Sequence, residues 1–137
     1  MPDVFDRAKR SEIMARIRGS GNLATELRLV RLFREQGITG WRRNYPIFGK
    51  PDFVFVKSRL AVFVDGDFWH GHPKRGQIPV ANRAFWEAKI ARNRARDRLV
   101  NKTLKLRGWR ILRIWQSDLQ RNPLRVIDGV VRSLNGG

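Results

Sequence analysis

The 137-residue sequence predicts an α/β protein in which helices cover both faces of a mixed central β-sheet. Helical and strand patterns alternate along the chain in the order helix, three strands, helix, strand, helix. A long helical segment separates the third and fourth strands, so these two strands should pair in parallel through a right-handed crossover. The length suits one domain, 1–137, made of a basic arm at 3–20 and an α/β core at 22–135.

Each element has its own sequence signal. A helix over 23–36 can begin at the capping residue Asn22 and ends at Gly37. Continuous apolar runs rich in Val and Phe predict strands covered on both faces at 52–56 and 60–65. Similar reasoning predicts the remaining elements, which are strands over 41–47 and 109–115 and helices over 83–107 and 123–134.

The charge of the chain indicates a polyanionic partner. The formal net charge is +17, and 22 of the 29 basic residues are arginine. Arginine holds phosphate through paired hydrogen bonds and stacks on bases. We therefore predict nucleic-acid binding. The alternative is a basic protein whose charge serves only solubility.

Other classes are excluded by composition. The chain has no cysteine, so it has no disulfide, thiolate zinc site or thiol catalysis. It has no run of 18 apolar residues that would span a membrane, and its N-terminus does not resemble a signal peptide. We expect a cytoplasmic, nucleoid-associated protein.

Two carboxylates flank the apolar strand pair, because Asp52 begins one strand and Asp65 ends the next. If Val56 faces Ala61 across the turn, the aspartates face each other about 5 Å apart. Like charges that close repel unless a cation or a proton intervenes. Mg²⁺ takes one or two carboxylates, so Asp52 and Asp65 are candidate ligands. The alternative is a different register, in which one aspartate merely ends its strand.

Two more carboxylates lie on helix faces that are otherwise apolar. Asp97 falls on the stripe of Trp86, Ile90, Val100 and Leu104. Glu26 falls on the arc of Leu23, Leu27, Val30 and Phe33. A buried carboxylate is costly without a partner. Both residues either form ion pairs with arginines or belong to the site.

The loop after Asp65 carries both histidines. His70 can accept a proton from an attacking water or donate one to a phosphate oxygen, although a structural role is the alternative. His72 is the weaker candidate. Phe68 and Trp69 look exposed, and such aromatics stack on bases or wedge between them unless they pack in the core. Trp86 presents the same choice.

Five ordered motifs resemble the very short patch repair endonucleases, bacterial enzymes that nick DNA beside a thymine–guanine mismatch. The likeness spans residues 3–118. The motifs are Arg10-Ser11-Glu12-Ile13-Met14, Gly49-Lys50-Pro51-Asp52-Phe53-Val54, Val64-Asp65-Gly66-Asp67-Phe68-Trp69-His70, the helical set Trp86, Lys89, Asn93, Arg96 and Asp97, and the strand 108–115.

The resemblance implies a restriction-endonuclease-like three-layer sandwich and Mg²⁺-dependent hydrolysis of DNA. It implies that Asp52 is the principal metal ligand and that His70 handles the attacking water. Glu26 and Asp97 match the family's other acidic positions. The remaining matches are residues that enter DNA, namely Phe68, Trp69 and Trp86 from the major groove and Met14 from the minor groove.

Phosphate contacts are expected from the basic arm and from a ridge on the long helix. The arm contributes Arg10 and Arg16, and the ridge contributes Arg92 and Arg96. We expect a monomer that acts on double-stranded DNA, with mismatch-repair proteins as candidate partners. The rivals are a related nicking nuclease without T:G preference, acting on branched, restriction-associated or mobile-element DNA, and a non-catalytic DNA-binding protein.

The sequence departs from the family at its structural zinc site. Asp67 and the pair Ser117-Asp118 stand where cysteines are usual, while His72 remains. Asp67, His72 and Asp118 offer oxygen and nitrogen ligands. We predict no zinc, and we expect a salt bridge to a neighbouring arginine instead.

Overall fold

The computed structural model describes residues 23–74 and 76–136. Met14, Arg10 and Arg16 of the predicted arm lie outside these residues. The elements, in chain order, are α1 Leu23–Glu35, β1 Trp41–Arg43, β2 Phe53–Phe55, β3 Leu60–Asp65, α2 Arg83–Leu106, β4 Arg110–Trp115, α3 Gln116–Arg121 and α4 Pro123–Asn135. In the described part of the chain, no helix has the length and apolar character that crossing a membrane requires.

The four strands form one mixed sheet in the order β1-β2-β3-β4. β1 and β2 are antiparallel, as are β2 and β3. β3 and β4 are parallel, and α2 connects them. The predicted mixed sheet and its parallel crossover are therefore confirmed. The first strand is shorter than predicted, and the sequence pattern did not indicate α3.

Alternation along β3 divides the core between two faces of the sheet. Leu60, Val62 and Val64 pack with residues of α1, α3 and α4, which include Leu29, Phe33, Leu119, Ile127 and Val130. Ala61 and Phe63 pack on the other face with Val100 and Leu104 of α2. The result is the predicted three-layer sandwich. By the same alternation, Asp65 faces α2.

The buried face of α1 differs from the prediction. Leu23 is 58% exposed and Leu27 is 46% exposed, so only part of the predicted apolar arc is buried. The residues buried on this helix are Thr25, Leu29, Val30 and Phe33. Phe33 sets this orientation, because its ring packs edge-on against Phe53 and Phe55 of β2.

The segment that leads into Asp52 is held close to α2. Gly49 has a left-handed φ of +83°, and a Cβ placed there would lie 2.5 Å from Cγ1 of Val100. Only glycine satisfies both the conformation and the close approach. This contact fixes the start of β2, where the candidate site lies.

Candidate active site

Asp52 and Asp65 are both buried at the same end of the sheet, with 7% and 5% of their surface exposed. They do not face each other. Phe55 pairs with Leu60, so the predicted pairing of Val56 with Ala61 was wrong by two residues. The turn explains the shift: Arg59 adopts a left-handed φ of +55° and donates its backbone N–H to the carbonyl of Val56 at 3.1 Å.

Asp52 lies where β2 and β3 stop pairing. Its Oδ2 accepts a hydrogen bond from the backbone N–H of Val64 at 2.7 Å. The pKa of Asp52 is raised from its ordinary 3.8 to about 8. Burial is the largest cause, Glu26 and Asp65 add to the rise, and the hydrogen bond from Val64 opposes it. Within residues 23–74 and 76–136, no Lys or Arg forms a salt bridge with Asp52. This carboxyl therefore needs a proton or a metal ion.

Glu26 of α1 already has a cationic partner. Its Oε2 accepts a hydrogen bond from Nη2 of Arg43, on β1, at 3.0 Å. Glu26 therefore forms an ion pair with an arginine, and its role in the site stays a prediction. Since Glu26 also contributes to the raised pKa of Asp52, the two carboxyls form a neighbouring pair. Among the described residues, only Glu26 of this pair has a bound arginine.

A second group joins Asp65 to the histidine loop and to α2. The Nδ1 of His70 lies 2.5 Å from Oδ2 of Asp97, and its Nε2 lies 3.8 Å from Oδ1 of Asp65. One ligand atom from each of the three residues lies within 4.8 Å of the others, so the group could hold a metal ion. It is the one such group in the described part of the chain.

Arg113 of β4 contacts the same two carboxylates and was not among the residues predicted for the site. Its Nη1 lies 3.0 and 3.2 Å from the two oxygens of Asp65 and 3.7 Å from Oδ1 of Asp97. Burial raises the pKa of Asp65, although His70 and Arg113 lower it. The available signal was an arginine inside the apolar strand 109–115, at a position that alternation directs toward α2.

Sequence comparison places these residues in a family. The family described as DNA mismatch endonuclease Vsr matches residues 2–75. The chain belongs to the Vsr family. Membership makes it an endodeoxyribonuclease, which confirms the predicted family and enzyme class.

Individual relatives carry related names. The type II nicking enzyme V.NmeDIP of Neisseria meningitidis serogroup C is 45% identical over 100 residues, which are 71% of this chain and 67% of the relative. The DNA mismatch endonuclease Vsr of Escherichia coli strain K12 is 36% identical over 121 residues, 88% of this chain and 77% of that protein. The type II nicking enzyme V.NaeI of Lentzea aerocolonigenes is 46% identical over 80 residues, 58% of this chain and about half of the relative (48%).

The aromatic residues that are predicted to enter DNA form one cluster beside α2. Phe68 lies 5.4 Å from Trp86 and 5.8 Å from Trp69, measured between ring centroids. Trp69 is only 6% exposed, so the expectation that it is exposed was wrong. Lys89 covers its ring at 5.2 Å, and the side-chain amide of Asn93 donates to its carbonyl at 3.2 Å. These contacts hold the loop that carries Phe68 and Trp69 against α2.

Asp67 and His72 match positions where the resemblance implies zinc ligands, and both make other contacts in this structure. Oδ1 of Asp67 accepts a hydrogen bond from the backbone N–H of Ser117 at 3.2 Å. The ring of His72 packs edge-on against Trp115, with centroids 4.7 Å apart. These contacts attach the histidine loop to the end of β4. The absence of zinc stays a prediction.

The predicted basic ridge is present on α2. Arg92 and Arg96, one turn apart, are exposed on one side of the helix. Arg94 and Arg98 are also exposed, on the other side. Arg96 also donates to the side-chain oxygen of Asn93 at 3.2 Å, and Asn93 in turn holds the aromatic loop. The ridge and the loop are therefore linked through one asparagine.

Proposed function

We propose that this endonuclease nicks duplex DNA beside a T:G mismatch, using Mg²⁺ held by Asp52. The observation that carries the proposal is the buried carboxyl of Asp52, which has a pKa of about 8 and no basic partner in the described part of the chain. It accepts a hydrogen bond from the backbone N–H of Val64. The next residue, Asp65, belongs to the group that contains His70 and Asp97. A metal ligand and a base would thus lie at one end of the sheet.

The donor set suits a hard cation. Mg²⁺ prefers carboxylate oxygens and retains waters, and an ion at Asp52 would compensate the burial that raises its pKa. When bound, it would stabilise negative charge on the scissile phosphate and lower the pKa of a bound water. The predicted second ligand, Asp65, also bonds Arg113. The number of ions that the protein binds distinguishes a metal ion from Arg113 as the partner of Asp65.

His70 is proposed to take the proton of the attacking water. Asp97 lies at hydrogen-bond distance from Nδ1, and a proton on that nitrogen leaves a lone pair on Nε2. A carboxylate that fixes the tautomer and orientation of an imidazole is a known means of preparing a general base. Asp97 would therefore orient His70 as the water oxygen bonds to phosphorus and the P–O3′ bond breaks, with solvent supplying the proton of the 3′-hydroxyl.

The exposed arginines of α2 are proposed to seat the duplex through phosphate contacts. Such binding weakens steeply with salt. The aromatic side chains would then insert between two stacked base pairs. The free energy of unstacking is lowest at a weakly stacked mismatch. The indole N–H of Trp69 is buried without an acceptor among the described residues. An unsatisfied buried donor costs about 1–3 kcal/mol, which lowers the cost of releasing Trp69 from the cluster.

A second candidate follows from the relatives named type II nicking enzymes, whose names mention no mismatch. In that case the chain would nick duplex DNA without T:G preference. The loop that carries Phe68 and Trp69 is attached by Asp67 and His72 rather than by the family's cysteines. This difference affects specificity more directly than chemistry.

A panel of end-labelled duplexes tests the proposal, with one matched duplex and one for each mismatch in a fixed flanking sequence. We expect Mg²⁺-dependent nicking on one strand, fastest at T:G. Equal rates on matched and T:G duplexes would replace the first candidate with the second. Failure to nick any duplex under conditions that support DNA binding would contradict both.

A further inference from the structure

We propose that Arg113 is a positioning residue, a fixed cation that keeps a second divalent ion off Asp65 and preserves the Asp97–His70 contact. The inference rests on the proposed function, in which one ion is held by Asp52. It concerns the group Asp65, His70 and Asp97, whose ligand atoms are close enough to hold an ion of their own.

The guanidinium already occupies the cationic position of this group. A single nitrogen, Nη1, lies 3.0 and 3.2 Å from the two oxygens of Asp65 and 3.7 Å from an oxygen of Asp97. A divalent ion bound to the same oxygens would lie within a few ångströms of this permanent charge. Arginine stays protonated at all working pH values, so the two cations would repel each other.

Arg113 is also fixed in place before any DNA binds. Its Nε donates to Oδ1 of Asn101 on α2 at 2.9 Å. Its guanidinium carbon lies 4.2 Å from the ring centre of Phe63, the residue it faces across the parallel strands. The side chain is only 20% exposed. A surface charge with free rotation would not be held from three directions.

The consequence concerns His70. Asp97 can orient the imidazole only while one of its oxygens remains bonded to Nδ1. An ion bound by Asp65, His70 and Asp97 would take a ring nitrogen of His70 as a ligand and remove it from proton transfer. Arg113 satisfies the same carboxylates and leaves both ring nitrogens of His70 unligated.

The test counts Mn²⁺ ions bound per full-length chain, by titration followed through the EPR signal of free Mn²⁺. We expect one ion on the wild type, two on Arg113→Met, and one on Arg113→Lys, which keeps the charge. Adding Asp97→Asn to Arg113→Met should return the count to one. Near-UV circular dichroism checks that each variant is folded.

Two results would overturn the proposal. One is a folded Arg113→Met protein that binds the same number of ions as the wild type. The other is a wild type that binds two ions and loses one in Asp65→Asn, a comparison that holds even if Arg113→Met does not fold. Asp52→Asn distinguishes the two claims, because an ion retained in that variant contradicts the proposed role of Asp52 and leaves the Arg113 comparison intact.

Discussion

Replacing Asp52 by Asn should change how the stability of the metal-free protein depends on pH. Burial raises the pKa of Asp52 from 3.8 to about 8, so between these values the folded chain holds a proton that the unfolded chain has lost. The free energy of unfolding then falls as pH rises through this window. The amide side chain of the variant is uncharged throughout and can still accept the hydrogen bond from Val64.

The size of the effect follows from the width of the window. Each pH unit within the window lowers the free energy of unfolding of the wild type by about 1.4 kcal/mol. From pH 5 to pH 8, the wild type should therefore lose up to about 4 kcal/mol of stability relative to Asp52→Asn. That is a large share of the roughly 5–15 kcal/mol by which small domains are stable. Adding Mg²⁺ at pH 8 should restore stability to the wild type alone, because an ion that binds only the folded state stabilises it.

The measurement is urea denaturation in EDTA at pH 5, 6, 7 and 8, followed by tryptophan fluorescence. Asp128→Asn, which changes an exposed carboxylate, is the matched control and should follow the wild type. Parallel pH dependence of wild type and Asp52→Asn would refute the reasoning, since it would mean that burial of Asp52 has no electrostatic cost.

Three further predictions concern the orienting carboxylate, the close-packed glycine and the basic ridge. Asp97→Asn should slow single-turnover nicking by about 10²–10⁴-fold while leaving DNA affinity by fluorescence anisotropy unchanged, and an unaltered rate would exclude Asp97 as the group that orients His70. Gly49→Ala should destabilise the fold by about 1–3 kcal/mol in urea titrations, with a smaller loss in a Val100→Ala background; equal losses in the two backgrounds would exclude the clash as the cause. Arg92→Gln and Arg96→Gln should each reduce the slope of log affinity against log salt concentration by about 1, and an unchanged slope would remove that residue from the phosphate contacts.

The two-residue error in strand register shows what the apolar pattern cannot resolve. Moving the partner of a residue by two positions leaves every side chain on the same face, so the core of β2 and β3 looks identical in either register. The turn between β2 and β3 sets the register, and it requires Arg59 to adopt a left-handed conformation. No Gly or Asn in the turn indicates this conformation in the sequence. The longer helices and the parallel crossover were predictable because they depend on longer patterns, whereas the six-residue α3 was not.

The sequence singled out the acidic residues that cluster in the candidate site, but not their basic partners. Glu26, Asp52, Asp65, His70 and Asp97 stood out as polar groups in apolar surroundings. Arg43 and Arg113 did not stand out, because arginine is so abundant in this chain that no single one is unusual. Their contacts depend on which strands are neighbours, since Arg113 reaches Asp65 only through the pairing of β3 with β4.

Single-turnover nicking of a T:G duplex by wild type and Asp52→Asn, each with Mg²⁺ and with EDTA, tests the metal-ligand claim most directly. Both proteins should bind the duplex with similar affinity in the anisotropy assay. Only the wild type with Mg²⁺ should produce a nick. Nicking by Asp52→Asn at the wild-type rate would show that the buried aspartate does not hold the ion on which hydrolysis depends.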